Sequence, residues 1–125
     1  MVLHCQRDAA EGGENALLDP DIAYIRLRDA DPGFITAFEH PQCMTIPANE
    51  NAGEEIRPEA TGAVFSYEPG AVLHMRFSAR RKNIRWRDDA LTLAAREYLA
   101  QVLADNDGPV LHYRLKPGEG LISNN

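Results

Sequence analysis

Cysteine is scarce in this chain. Cys5 and Cys43 are the two thiols in 125 residues, too few for a disulfide framework and without the CxxC spacing of a zinc or redox motif. No apolar run approaches the roughly 20 residues that cross a bilayer as a helix. The opening Met1-Val2-Leu3-His4-Cys5 has neither the charged-then-apolar pattern of a secretory signal nor a lipidation signature. Cations are outnumbered, with 13 Lys and Arg against 19 Asp and Glu, a net charge of −6. Binding to a phosphate backbone draws its affinity from basic side chains that displace counterions, so no nucleic-acid partner is expected. Together these absences lead to the expectation of a reduced, cytoplasmic protein with no membrane partner. Repeats and low-complexity tracts are also missing, and Pro and Gly are not pooled into a linker, which leaves one domain over residues 1–125. What is present is an ordinary globular composition, 44% hydrophobic and 26% charged, in a chain long enough to bury roughly two-thirds of its unfolded surface.

Local chemistry predicts three helices. Asp19 and Asp31 can each cap a helix, with Pro20 and Pro32 at the first helical position, where the missing N–H costs nothing. The first helix would turn Ala23, Tyr24 and Leu27 inward and the second Phe34, Ile35 and Phe38, ending at His40-Pro41. A third runs from about Asp89 to Ala104, where Leu91, Ala94, Ala95, Tyr98, Leu99 and Val102 recur at three and four residues. Asp88 or Asp89 supplies its cap, and Asn106-Asp107-Gly108-Pro109 stops it. Short β-prone runs fill the rest: Met1 to Cys5, Met44 to Ile46, Ala63 to Tyr67, Val72 to Ser78, Val110 to Leu115 and Gly120 to Ser123. Glu68-Pro69-Gly70 and Lys116-Pro117-Gly118-Glu119 read as turns joining the strands that flank them, Glu11 to Asn15 as a tight turn, and Asn49 to Pro58 as a polar surface loop. Strands at both ends with helices between them make an α+β domain, mainly β.

Few residues announce chemistry. His4, His40, His74 and His112 lie far apart, in no HxxxH or HExxH pattern and with no His-x-Asp or His-x-Glu. Each therefore reads as structural or exposed. His40 and Cys43 have a spacing that could touch a metal, but they are a single pair. Neither Cys5 nor Cys43 is marked as an activated thiolate, so both read as packing residues. The basic segment is more pointed, because Arg76, Arg80, Arg81, Lys82, Arg85 and Arg87 fall within twelve residues. Arg76 and Arg80 would share one strand face with Ser78 and could clamp a carboxylate or phosphate bidentately. Against that stands a solvated edge whose charges pair with the acidic remainder of the chain. Gly12-Gly13-Glu14-Asn15 lacks both GxGxxG and GK[ST] and so is no phosphate loop.

Taken in order, these stretches resemble one family over essentially the whole chain. Leu3-His4-Cys5, Glu11-Gly12-Gly13-Glu14-Asn15, Leu18-Asp19 and Ala23-Tyr24 resemble the strand, Gly-Gly turn and helix passage of TauD/TfdA-type Fe(II)/2-oxoglutarate-dependent dioxygenases. Met75 to Arg80 with Asn83-Ile84-Arg85-Trp86 is similar to that family's mid-sheet segment. Leu115 to Asn125 is similar to the stretch preceding its distal iron-binding His.

The resemblance implies a partial double-stranded β-helix, a jelly roll with inserted helices. In the intact family it implies an oxidoreductase that uses Fe(II) and 2-oxoglutarate to hydroxylate a small-molecule substrate. Asn15 matches a polar position that reaches a 2-oxoglutarate carboxylate, whereas Arg76 and Arg80 lie on a segment that can face the site. The family's His-x-Asp would then lie upstream of Met1, with the distal His just beyond Asn125 and the cosubstrate Arg further on. None of these four residues is in this chain, so no metal or cosubstrate is expected to bind it alone, and it is expected to be inactive by itself. Strands left without neighbours predict self-association through exposed edges. The competing reading is a non-catalytic small-molecule or protein-binding module on a degenerate scaffold.

Overall fold

Aspartate caps start all three helices. In the computed structural model, which describes residues 2–51, 54–77, 84–105 and 107–123, helix α1 spans Pro20–Ala30 and α2 spans Pro32–Phe38. Asp19 is extended and its carboxylate accepts the Asp21 N–H at 2.8 Å. Asp31 serves twice, donating its own N–H to the Leu27 carbonyl to end α1 and accepting the Gly33 N–H at 2.8 Å to start α2. Helix α3, Ala90–Ala104, is capped by Asp89, which accepts the Thr92 N–H at 3.0 Å and the Thr92 hydroxyl at 2.6 Å.

That cap shifts the buried face of α3 from the expected stripe. Thr92, Ala95 and Leu99 are buried, whereas Leu91 and Ala94 are exposed. A threonine whose hydroxyl is already spent on a carboxylate can be buried at little cost, while Leu91 lies at the rim against Gly33.

The strands pair as nested antiparallel partners. Strand β1 (Val2–His4) pairs with β11 (Gly120–Ile122), and β2 (Glu14–Leu17) with β10 (Leu111–Arg114). Strand β3 (Met44–Ile46) lies between β6 (Ala60–Gly62) and β9 (Arg85–Trp86). Two ribbons complete the set, β4 (Asn49–Asn51) with β5 (Glu54–Arg57) and β7 (Phe65–Glu68) with β8 (Val72–Met75). The fold is mixed α+β, and among the described residues the strands form small separate sheets rather than a closed barrel. None of the described helices is long and apolar enough to cross a membrane.

Three expectations need correcting. Residues 49–58 are not a plain loop but largely the β4–β5 ribbon, tied down where Arg57 donates to the Pro47 carbonyl at 2.9 Å. Its Ile56 is 61% exposed, and a ribbon with an uncovered apolar position gives no clear alternation to read. The turn at 116–119 does form, but the strands on either side of it do not pair with each other. The Gly118 N–H donates to the Cys5 carbonyl at 2.8 Å and the Cys5 N–H to the Glu119 carbonyl at 2.9 Å, so the turn hands the chain from β2's partner to β1's. The strand expected over Val72 to Ser78 ends as β8 at Met75, and Ser78 lies outside the described residues.

The core joins the three helices to β3 and β7. Ala23 and Leu27 of α1, Ile35 and Phe38 of α2, and Ala95 and Leu99 of α3 meet Cys43, Met44, Val64 and Phe65. Aromatic contacts run through it: Tyr24 stands edge-on to Phe65 at 5.3 Å, Phe38 lies 5.9 Å from Phe65, and Trp86 lies 6.0 Å from Phe38. The two ribbons built from the chain's ends sit outside this core. Their Val2, Leu111 and Ile122 are 73%, 60% and 83% exposed, the opposite of what apolar strand residues achieve when a second layer covers them.

Candidate functional site

Asn15 enters β2 after a turn that needs two left-handed residues, which Gly12 (φ +71°) and Gly13 (φ +78°) supply. It is half-buried opposite Tyr113 of β10, and its Nδ2 donates to the Tyr113 carbonyl at 3.3 Å. The neighbouring polar groups are spent on one another. Tyr113 donates its hydroxyl to Glu119 at 2.9 Å, and Arg114 donates to the Asp8 carboxylate at 2.8 Å and to the Ala9 carbonyl. His112 Nδ1 lies 3.6 Å from the Glu14 carboxylate. The Lys116 N–H, then the Tyr113 hydroxyl, hold the Glu119 carboxyl below its ordinary value, and the same carboxylate raises the Tyr113 phenol. Among the described partners of Asn15 there is no uncommitted guanidinium to pair with a dicarboxylate. The surroundings of Asn15 therefore do not fit 2-oxoglutarate as they stand.

Arg76 follows β8 and reaches from the β7–β8 ribbon to the separate β6–β3–β9 sheet. Its Nη2 donates to the Ala60 carbonyl at 2.8 Å, and its Nη1 occupies the space above Gly62, where a Cβ would come within 2.8 Å of it. The guanidinium thus ties β8's exit to β6. Asn15 and Arg76 belong to different strand pairs, and no hydrogen bond or ion pair joins them. Arg80, Arg81 and Lys82 lie outside the described residues. Arg85 pairs with Glu59 at 2.6 Å and Arg87 with Asp89 at 3.3 Å, so this part of the basic segment is matched by carboxylates.

The histidines do not converge. Among the described residues no three His, Cys, Asp or Glu side chains stand close enough to share a metal ion, and this donor set does not fit iron. The His40/Cys43 spacing is that of a turn: His40 Nδ1 accepts the Gln42 N–H at 3.1 Å, and its carbonyl accepts the Cys43 N–H at 2.9 Å. Burial, with the Asp89 charge adding to it, pushes the Cys43 thiol up to about 11. It is a core thiol rather than a nucleophile.

An open cleft of about 560 Å³ lies between the start of α1 and the β7–β8 hairpin. Asp19 and Asp21 form one lip, Tyr24 and Tyr67 a wall, and Val72 and Leu73 the apolar side. The Tyr67 hydroxyl lies 3.2 Å from both the Tyr24 hydroxyl and the Glu39 carboxylate. Those contacts, Tyr24's first, hold the Tyr67 phenol protonated well above its ordinary range. The sequence shows Asp19 as a cap and Tyr24 as a core residue. Nothing local reveals that Tyr67, 43 positions on, closes the same space.

Neither the protein-family models nor the curated proteins include a match to this chain.

Proposed function

We propose that this chain is a wall of a TauD/TfdA-type Fe(II)/2-oxoglutarate-dependent dioxygenase scaffold, a partial jelly roll that carries no redox centre of its own. The observation that carries this reading is the nesting of strand partners: β1 with β11, β2 with β10, β3 with β9. A jelly roll is a long antiparallel hairpin wound on itself, so its outermost strands pair first with last, and the next pair inside them. The order of motifs along the chain adds to this. In the intact enzyme, iron and 2-oxoglutarate would supply the oxidising chemistry toward a small-molecule substrate. The residues of this chain would supply framework: Asn15 bonded across β2 and β10, and Arg76 tying the exit of β8 to β6. Taken alone the chain is inactive, cytoplasmic, and self-associates through the exposed ribbons at its ends.

The coding sequence on either side tests the proposal. An in-frame His-x-Asp upstream and a His within a few codons downstream support it; unrelated sequence on both sides overturns it. A second reading, a non-catalytic small-molecule-binding module, is favoured by one observation, the cleft between α1 and the β7–β8 hairpin.

A further inference from the structure

We infer that the cleft between α1 and the β7–β8 hairpin is a binding site for a small organic cation, an ammonium group carrying a short apolar chain. The inference holds on either reading of the function, because the cleft involves neither Asn15 nor Arg76.

The cleft is open to solvent, and its volume of about 560 Å³ falls within the roughly 300–1,000 Å³ that ligand clefts commonly span. The apolar part is unusually open: Tyr67 is 55% exposed and Val72 61%, while Leu73 is half-buried. A ring and a branched aliphatic side chain side by side in a concavity offer area that an alkyl chain can cover. The side-chain charge has one sign, two carboxylates set against the partial positive charge of the α1 N-terminus that Asp19 caps. Asp19 and Asp21 line the lip, and among the described residues no Lys, Arg or His lines the cleft, while the Glu39 carboxylate lies 3.2 Å from the Tyr67 hydroxyl. One oxygen of Asp19 is engaged by the Asp21 N–H, which fixes that carboxylate in place.

The tyrosines set the sign of the ligand a second time. An aromatic face attracts a cation through its quadrupole, and a phenol kept protonated beside a carboxylate has no charge to offer an anion. A carboxylate or phosphate entering here would meet two like charges beside two phenol rings. An ammonium would meet complementary groups at the lip and wall, with its chain against Val72 and Leu73.

The test is a titration of the isotope-labelled full chain, followed residue by residue by NMR, with n-butylammonium chloride as probe. Sodium butyrate, n-butanol and sodium chloride are the comparisons. Saturable shifts confined to Asp21, Tyr24, Tyr67, Val72 and Leu73, at least tenfold tighter for the ammonium than for butyrate or butanol, are expected. Asp19→Asn/Asp21→Asn keeps an acceptor at the helix cap, since Asn caps as well as Asp, and should weaken binding at least fivefold. Tyr67→Leu keeps apolar bulk without the ring and should weaken it at least threefold. Should Tyr67→Leu fail to fold, the carboxamide pair decides alone. Equal response to butyrate or butanol, non-saturating shifts spread over every acidic surface, or unchanged affinity in the carboxamide pair would overturn the inference.

Discussion

Phe65 offers the sharpest test of the packing that holds the cleft's wall. Its side chain is 1% exposed and touches two other rings, Tyr24 edge-on at 5.3 Å and Phe38 at 5.9 Å. Phe65→Ala removes the buried ring and leaves a cavity that the helices on one side and β8 on the other cannot collapse into, at a cost of about 3–5 kcal/mol. Single domains are stable by only about 5–15 kcal/mol in total, so this variant should lose a large share of the chain's stability. Phe65→Leu is the informative variant. It keeps apolar volume and forfeits chiefly the two ring–ring contacts, each worth about 0.5–1.5 kcal/mol beyond area burial, for a total of about 1–3 kcal/mol. Urea unfolding followed by the fluorescence of Trp86, the one tryptophan, measures it directly, because Trp86 packs on Phe38 in the same aromatic group. Tyr24 would also lose its edge contact, so the variant should bind n-butylammonium more weakly even where it remains folded. A Phe65→Ala loss below about 1 kcal/mol would refute the placement of Phe65 at the junction of helices and hairpin.

Gly62→Ala should displace the Arg76 guanidinium that sits 2.8 Å from the site of the new Cβ; with Arg76→Ala in a double-mutant cycle the two changes should be non-additive by about 0.5–1 kcal/mol, and strict additivity would contradict the tie. Asp89 and Glu119 have folded carboxyls lowered from ordinary values of 3.8 and 4.5, by the Thr92 hydroxyl and the Lys116 N–H first. Their contribution is therefore complete above those values and lost as pH falls below them through the folded values. Acid melts monitored by circular dichroism should show Asp89→Asn, which still caps, with a flatter loss than the parent chain. A thiol-specific reagent should modify Cys5, half-buried near the surface, rapidly and Cys43 only after denaturant is added; equal rates in the folded chain would contradict the buried thiol. Val2 and Ile122 are cross-strand partners and both exposed, so Ile122→Lys, which places a charge on that strand, should lower the molar mass measured by light scattering at a fixed concentration. An unchanged mass would remove that ribbon from the association.

How far the sequence carried depended on whether a signal was local. Asp19-Pro20, Asp31-Pro32 and Asp89 carry their own physics, because a cap involves residues only two or three apart, and all three helices start there. Burial of Ala23, Leu27, Ile35 and Phe38 follows from helical period for the same reason. Thr92 broke the period on α3 because its burial depends on a hydroxyl bond to Asp89 that no hydrophobic pattern encodes. The 116–119 turn was legible from Pro117 and Gly118, yet turn chemistry does not name the strand a segment will join, and β10 and β11 take partners about a hundred residues away. Arg76 could be placed on a strand face; that it would lie over Gly62 depends on two segments meeting in space. The cleft was invisible for the same reason, since its wall joins Tyr24 to Tyr67 across the fold.

On the proposed function this chain supplies scaffold and not the redox centre. Anaerobic equilibration of the chain with Fe(II) and 2-oxoglutarate, followed by elemental analysis and then by assay of succinate once oxygen is admitted, tests it most directly. Iron well below one per chain after removal of free metal, and no succinate above the protein-free control, are the expected results. One iron per chain held against competing chelator, with 2-oxoglutarate consumed on admission of oxygen, would contradict the proposed function.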